Sequence, residues 1–99
     1  MNQVTVAATQ MTCCNDPKEN IDRAENLVVT AFQKGAQIIL LQELFETWYF
    51  CQEEKQEYFG LATALEKNPA VKHFAKIAEK LKVVLPISFF ERKNKAFYN

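Results

Sequence analysis

The sequence is poor in glycine, in histidine and in net charge. Its 99 residues contain two glycines, Gly35 and Gly60, and one histidine, His73. Two isolated glycines exclude a glycine-rich loop of the kind that cradles phosphate groups. Acidic and basic residues balance at 12 each. This balance argues against a protein that binds nucleic acid by charge, since such a protein needs a basic excess or a basic stripe.

Long apolar runs are also missing. No stretch of the sequence approaches the roughly 18 to 20 consecutive apolar residues that cross a bilayer. The opening segment, MNQVTVAATQM, lacks the basic start and the long apolar centre of a secretory signal peptide. We therefore predict no membrane partner and a cytoplasmic location.

Cysteine is present, but its spacing does not indicate a disulfide framework or a metal site. Cys13 and Cys14 are adjacent and Cys51 is distant, whereas zinc ligands are usually separated by two to four residues. The simplest interpretation is three reduced, partly buried thiols, and we predict no metal and no cofactor. A nucleophilic role would need a neighbouring base, and His73 falls on the outer part of a separate predicted helix.

The sequence does contain clear helix signals. Asp16 and Pro17 begin a segment in which apolar residues recur at steps of three and four, and Gly35 stands where that helix should end. Asn68 and Pro69 begin a second segment of the same kind. Both segments are therefore expected to be amphipathic helices.

These helices alternate with strand patterns, which predicts an α/β fold. The expected helices cover residues 17–34 and 69–81, and the expected strands cover residues 3–10, 37–42, 82–91 and 95–99. A loop and a further helix are expected between the second strand and about Leu65. Alternation of this kind favours a mostly parallel sheet with flanking helices, and the final turn adds one antiparallel neighbour. Pro86 predicts an irregularity or bulge in the third strand.

A carboxylate follows the most apolar strand. The run at 38–41, IILL, is typical of a strand buried on both faces, and Glu43 comes two residues after it. Functional groups of open α/β sheets gather beyond the carboxyl ends of the strands. An anchored, partly buried acid at that place is a usable general base. The alternative is an ordinary solvated glutamate at the end of a strand.

The neighbourhood of Glu43 gives a sharper expectation. Glu43 should be less exposed than Glu46 and than the pair at 53–54, which lie in polar stretches. Tyr49 and Phe50 either line a pocket beside Glu43 or cap the core, and the residues alone leave both interpretations open.

Several segments follow one another in a distinctive order: VAATQM, DPKENIDRAENLV, GAQIILLQELFETWYFCQ, and VVLPISFFER with AFYN. Together they resemble the start of the nitrilase superfamily of carbon–nitrogen hydrolases, and in particular its N-carbamoylputrescine amidase branch. The resemblance covers the whole chain, but only the N-terminal, smaller part of a complete family member. It implies that residues 1–99 are an incomplete portion of a single nitrilase-like domain, an α-β-β-α sandwich.

The resemblance also implies a chemistry. The superfamily uses a Glu-Lys-Cys triad, and by the match of QELFE the glutamate that acts as general base is Glu43. The lysine and the cysteine of the triad belong to segments further along, and Cys13, Cys14 and Cys51 do not match the nucleophile's motif. The implied partner is a small-molecule substrate, with Tyr49 and Phe50 as candidate substrate contacts, and the complete protein is expected to form homo-oligomers.

Other functions stay open from the sequence. Within the superfamily, a β-ureidopropionase-like enzyme or a general aliphatic amidase is the alternative to an N-carbamoylputrescine amidase. A non-catalytic fragment or module of the same fold is a second alternative, and an unrelated α/β binding domain is a third. The 99 residues alone are expected to be inactive, because two members of the triad are absent from them.

Overall fold

The protein was analysed as a computed structural model that describes residues 3–52 and 55–99. The long helices are α1 (Pro17–Gln33) and α2 (Pro69–Leu81), and the strands are β1 (Val6–Ala8), β2 (Ile38–Leu40), β3 (Glu91–Lys93) and β4 (Ala96–Tyr98). None of the helices in these two ranges is long and apolar enough to cross a membrane.

Helix α1 begins and ends where its sequence signals predict. The Asp16 side chain accepts a hydrogen bond from the Lys18 N–H at 3.1 Å, which satisfies one of the free donors at the start of the helix. Gly35 follows the helix with φ of 94°, a conformation that glycine adopts without steric cost. The inner face of the helix is buried through Ile21, Ala24 and Val28.

Helix α2 is capped in the same way and packs on the segment that follows β2. The Asn68 side chain accepts a hydrogen bond from the Val71 N–H at 2.8 Å, and Lys82 ends the helix in the left-handed conformation. Phe74 of α2 is buried against Phe45, with ring centroids 5.5 Å apart in an edge-to-face arrangement. Because edge-to-face pairs fix the relative position of two rings, this contact ties α2 to the turn that carries Glu43.

The sheet is parallel but is covered on one face only. β1 and β2 pair in parallel, with Val6 opposite Ile38, and Val84 forms a further parallel bridge to Ile38. Ile39 is fully buried on the helix side, whereas Leu40 is exposed on the other side. The expectation of a strand buried on both faces is therefore wrong for the described chain.

The expected third strand at 82–91 is also wrong over most of its length. Only Val84 pairs with the sheet, and Pro86, which lacks an N–H, follows two residues later. Regular strand structure resumes at β3, which pairs antiparallel with β4. The turn between them contains Asn94, which has φ of 57°. The irregularity at Pro86 and the final antiparallel pair are thereby confirmed.

The described residues between β2 and α2 form three short 3-10 helices rather than a loop and a helix. They cover Phe50–Gln52, Gln56–Leu61 and Leu65–Lys67. The aromatic residues here do not form a stripe at helical spacing, and instead contact one another across the turns. The ring of Tyr58, for example, lies 5.4 Å from that of Trp48 and 5.8 Å from that of Phe50. Without an apolar stripe to bury, a longer α-helix gains little stability here.

Candidate active site

The backbone before Glu43 is anchored to the segment that follows β1. Glu43 lies in a turn after β2. The preceding residue, Gln42, accepts a hydrogen bond from the Met11 N–H at 2.8 Å and donates one to the Cys13 Sγ at 3.2 Å. The amide of Gln42 therefore ties the exit of β2 to the exit of β1.

The backbone after Glu43 is held in an unusual conformation. Leu44 has φ of 51°, in the left-handed region that non-glycine residues rarely adopt. This conformation costs about 1 to 2 kcal/mol for an L-residue. Burial of Leu44 and Phe45 in the core offsets the cost. The turn also directs the Leu44 N–H to the Ser88 Oγ, which accepts it at 3.2 Å.

The side chain of Glu43 is exposed, yet it is bonded on both carboxylate oxygens. Oε1 accepts a hydrogen bond from the Asn99 Nδ2 group, and Oε2 accepts one from the Tyr49 hydroxyl at 3.4 Å. The expectation that Glu43 would be the less exposed acid is therefore wrong. The turn at Leu44 directs two apolar side chains inward and leaves the carboxylate of Glu43 at the surface.

The more buried acid is Glu46, which the sequence had suggested to be solvated. Its Oε1 accepts a hydrogen bond from the Asn68 Nδ2 group at 2.7 Å. Burial raises the pKa of the Glu46 carboxyl, and the hydrogen bond from Asn68 opposes that rise. The other two acids of the comparison, at 53–54, lie outside the described residues.

Tyr49 is electrostatically coupled to Glu43. The nearby Glu43 carboxylate, and then Cys51, raise the pKa of the Tyr49 hydroxyl. The phenol is protonated at neutral pH even with its ordinary pKa, and the raised pKa extends that range to higher pH, so Tyr49 is a hydrogen-bond donor to the carboxylate.

A cavity of about 440 Å³ opens beside this group. It is lined by Leu44, Phe50, Cys51, Lys55, Gln56, Tyr58, Phe59, Phe90 and Asn99. Phe50 therefore lines a pocket as one of its two interpretations predicts, whereas Tyr49 and Glu43 are not among the lining residues. Asn99 lines the cavity and also donates a hydrogen bond to the Glu43 carboxylate, so the carboxylate lies next to the cavity.

The cysteines and the histidine do not join the candidate site as a nucleophile and a base. The three thiols are free, and Cys51 is exposed. Burial, followed by the nearby Cys14, raises the pKa of the Cys13 thiol, which disfavours the thiolate that a nucleophile needs. His73 pairs with Glu25 on the neighbouring helix α1, at the partly exposed position expected for a surface histidine.

Three polar residues that support the turn were missed by sequence reasoning: Asn20, Ser88 and Asn99. Asn20 is fully buried in α1, and its amide donates to the Glu46 carbonyl oxygen at 2.8 Å. An asparagine on the buried stripe of an amphipathic helix was the available signal for it, since such a residue needs partners within the core. Ser88 and Asn99 gave no comparable signal, because they follow no periodic pattern.

The geometry defines an α/β protein with a hydrogen-bonded carboxylate, that of Glu43, beyond the carboxyl end of its parallel strands. Comparison with known proteins makes the class specific, since the family model of the carbon–nitrogen hydrolases matches residues 5–99. The chain belongs to the carbon–nitrogen hydrolase family. It resembles a crystal structure of a carbon–nitrogen hydrolase from Helicobacter pylori G27 with a TM-score of 0.82 and 32% identity, over 97% of this chain and 33% of that one. The nitrilase-like α/β fold is thereby confirmed.

The chain is also similar in sequence to curated proteins whose names state an activity. The chain is 50% identical to an N-carbamoylputrescine amidase of Solanum lycopersicum, over 97% of this chain and 32% of the relative. It is 47% identical to an N-carbamoylputrescine amidase of Oryza sativa subsp. japonica, over 99% of this chain and 33% of the relative. The chain thus spans about a third of the length of the curated relatives it matches.

Proposed function

We propose that these residues supply the general base of an amidohydrolase that converts N-carbamoylputrescine to putrescine, carbon dioxide and ammonia. The observation that carries the proposal is the position of Glu43. Its backbone is fixed on one side by Gln42 and on the other by Leu44, while its carboxylate remains accessible. A base needs both properties, since it must be held in place and must also reach the proton that it removes.

In the proposed reaction, Glu43 acts twice. It first takes the proton of a cysteine thiol supplied by the rest of the triad, and the thiolate attacks the carbamoyl carbon. One of the two bonds from the carbamoyl carbon to nitrogen then breaks, and the proton goes to the nitrogen that leaves, while the other nitrogen stays on the carbon. Glu43 next takes a proton from water, whose oxygen attacks the same carbon and releases the cysteine. The released carbamic acid then loses its remaining nitrogen as the second amine and becomes carbon dioxide. The sum of these steps consumes one water and yields putrescine, ammonia and carbon dioxide.

The cavity beside Glu43 supports a substrate with an aliphatic stem. Aromatic side chains, including Phe50, Tyr58 and Phe90, form much of its lining. Such rings bury methylene groups, and their faces attract an organic cation such as the free ammonium group of N-carbamoylputrescine. Phe50 is therefore proposed as a substrate contact on the apolar side, and Tyr49 as a contact beside the carboxylate.

The test is a pair of isosteric substitutions in the full-length protein. Glu43→Gln keeps the shape of the side chain but removes the base, so kcat should fall by about 10²- to 10⁴-fold. Glu57→Gln makes the same change at an exposed position on a 3-10 helix and should leave the release of ammonia from N-carbamoylputrescine unchanged. If Glu43→Gln retains wild-type turnover, the proposed role of Glu43 is wrong; if the wild-type protein itself shows no turnover, a non-catalytic module of the same fold is favoured.

Substrate choice needs a separate measurement. The alternative within the family is a β-ureidopropionase-like or general aliphatic amidase. Ratios of kcat/KM for N-carbamoylputrescine, an N-carbamoyl β-amino acid and a simple aliphatic amide distinguish the three activities. Homo-oligomer formation and a cytoplasmic location stay predictions for the complete protein, and light scattering and fractionation test them.

A further inference from the structure

A chain of hydrogen bonds runs from the backbone of the turn to the carboxylate that follows it. The Leu44 N–H donates to the Ser88 Oγ at 3.2 Å, and the Ser88 hydroxyl donates to the Asn99 Oδ1 at 2.8 Å. The Asn99 Nδ2 group donates in turn to the Glu43 Oε1. Because Leu44 follows Glu43 directly, the chain closes into a ring.

The direction of every bond in this ring follows from its two ends. An ionised carboxylate only accepts hydrogen bonds, so the amide nitrogen of Asn99 faces Glu43 and the amide oxygen faces Ser88. A backbone N–H only donates, so the Ser88 oxygen accepts from Leu44 and its own proton points to Asn99. All donors therefore point toward Glu43, and bonds aligned in this way polarise and strengthen one another.

The ring leaves the carboxylate free to accept a proton. Each carboxylate oxygen offers two lone-pair positions, and Asn99 occupies one on Oε1. Oε2 receives a bond from Tyr49 at 3.4 Å, near the upper limit for a hydrogen bond. Oε2 is thus the oxygen suited to take the proton of the thiol or of the water, while Oε1 fixes the orientation of the side chain through Asn99.

We propose that Asn99 is a positioning residue for the base Glu43, and that Ser88 acts on the base only through Asn99. The inference rests on the proposed function, since it assumes that Glu43 is the base. The inference also explains the left-handed conformation of Leu44. That conformation directs the Leu44 N–H, the first donor in the chain of hydrogen bonds, toward Ser88.

The experiment measures kcat, KM and the pH dependence of kcat/KM for variants of the full-length protein. Asn99→Ala should lower kcat by about 10- to 100-fold with little change in KM, since a base that is poorly aligned still permits substrate binding. Ser88→Ala should lower kcat less. The double variant should be no slower than Asn99→Ala, because residues that act as a unit show non-additive effects.

Asn99→Asp tests the contact with Glu43 through the pH profile of kcat/KM, which would not change if the role of Asn99 were only structural. It places a second carboxylate against Glu43, so the acid limb of the pH profile should move to higher pH by about one unit. Tyr49 and Cys51 also face this group, and both are unchanged in the variant. Asn26→Asp makes the same substitution at an exposed position of α1 and should leave the profile in place.

The outcomes separate the two proposals. A wild-type acid limb in Asn99→Asp, or multiplicative losses in the Ser88 and Asn99 double variant, would overturn the positioning role. If Asn99→Ala does not fold, as judged by its thermal melt, Asn99→Asp and Ser88→Ala decide the question. Retained activity in Glu43→Gln would overturn the proposed function itself. If Glu43→Gln is inactive but the Asn99 variants have the kinetics of the wild type, only the positioning inference is overturned.

Discussion

Loss of Asn68 should damage the site region through structure rather than through chemistry. It is 1% exposed, and its side chain makes three hydrogen bonds. The side-chain oxygen accepts from the Val71 N–H at 2.8 Å, and the side-chain nitrogen donates to the Glu46 Oε1 at 2.7 Å and the Thr63 Oγ1 at 2.8 Å. One side chain thus caps α2, holds Glu46 in the turn that also carries Glu43, and fixes the approach to α2.

Asn68→Ala removes all three bonds. Loss of a helix N-cap costs about 1 kcal/mol. Loss of the donor to a half-buried carboxylate costs about 1 to 2 kcal/mol, and loss of a partner for a hydroxyl costs up to about 1 kcal/mol. The expected total is about 3 kcal/mol in the free energy of unfolding. Since each kcal/mol shifts the melting temperature of a large domain by about 2 °C, the full-length protein should melt about 6 °C lower.

The assay is thermal unfolding of the full-length protein between pH 5 and pH 8. Asn68→Asp is the informative partner, because an aspartate still caps the helix but places a second acid 2.7 Å from Glu46. Its melting temperature should therefore recover as the pH falls and the two acids share a proton, whereas Asn68→Ala should not recover. Equal losses for both variants across the whole pH range would refute the assignment of Asn68 to Glu46.

Two further predictions concern the packing around the turn. Glu46→Gln should stabilise the full-length protein near neutral pH and have little effect near pH 4. Burial raises the pKa of the Glu46 carboxyl in the folded state, so its contribution to stability falls as pH rises above the ordinary glutamate range. A Glu46→Gln melting temperature at or below that of the wild type at pH 7 would contradict this. Phe74→Ala should cost about 3 to 5 kcal/mol, because it empties the core opposite Phe45, and chemical denaturation should show it.

Much of the fold could be predicted because its determinants are local. Asp16 and Asn68 cap the two helices, and the apolar stripe behind each cap fixes which face is buried. The segment at 82–91 was less predictable. Its apolar run is compatible with a strand, but Pro86 and the pairing partners of each residue decide whether a strand forms, and pairing is a long-range property.

The candidate site could be predicted in place but not in detail. The apolar run at 38–41 marks a strand, and Glu43 follows it, so the place of Glu43 in the chain is visible in the sequence. Which acid is exposed depends on the left-handed conformation of Leu44, which no residue pattern signals. The partner Asn99 lies 56 residues away in sequence, a distance over which periodicity carries no information.

The last prediction concerns the uncovered face of the sheet. Val6, Leu40 and Val84 are 67%, 51% and 58% exposed on that face. Full burial of such a side chain contributes about 1.5 to 3 kcal/mol, so leaving three of them mostly exposed forgoes about 4 kcal/mol. A domain of this size is stable by only about 5 to 15 kcal/mol. A two-stranded sheet also has unpaired edges, so residues 1–99 expressed alone should associate rather than remain a compact monomer.

Light scattering of the isolated 99-residue polypeptide tests this, together with its release of ammonia from N-carbamoylputrescine. Leu40→Thr combined with Val84→Thr should reduce association, because threonine is β-branched, which suits a strand, but carries a polar hydroxyl. Leu65→Thr, at a similarly exposed position on a 3-10 helix outside the sheet, should have no such effect. This pair of results would attribute the association to the apolar face of the sheet. A cooperative melt of a monomeric 99-residue chain would show instead that this face does not govern association. Turnover by that polypeptide, lost in Glu43→Gln, would in turn show that the remaining triad members are not required.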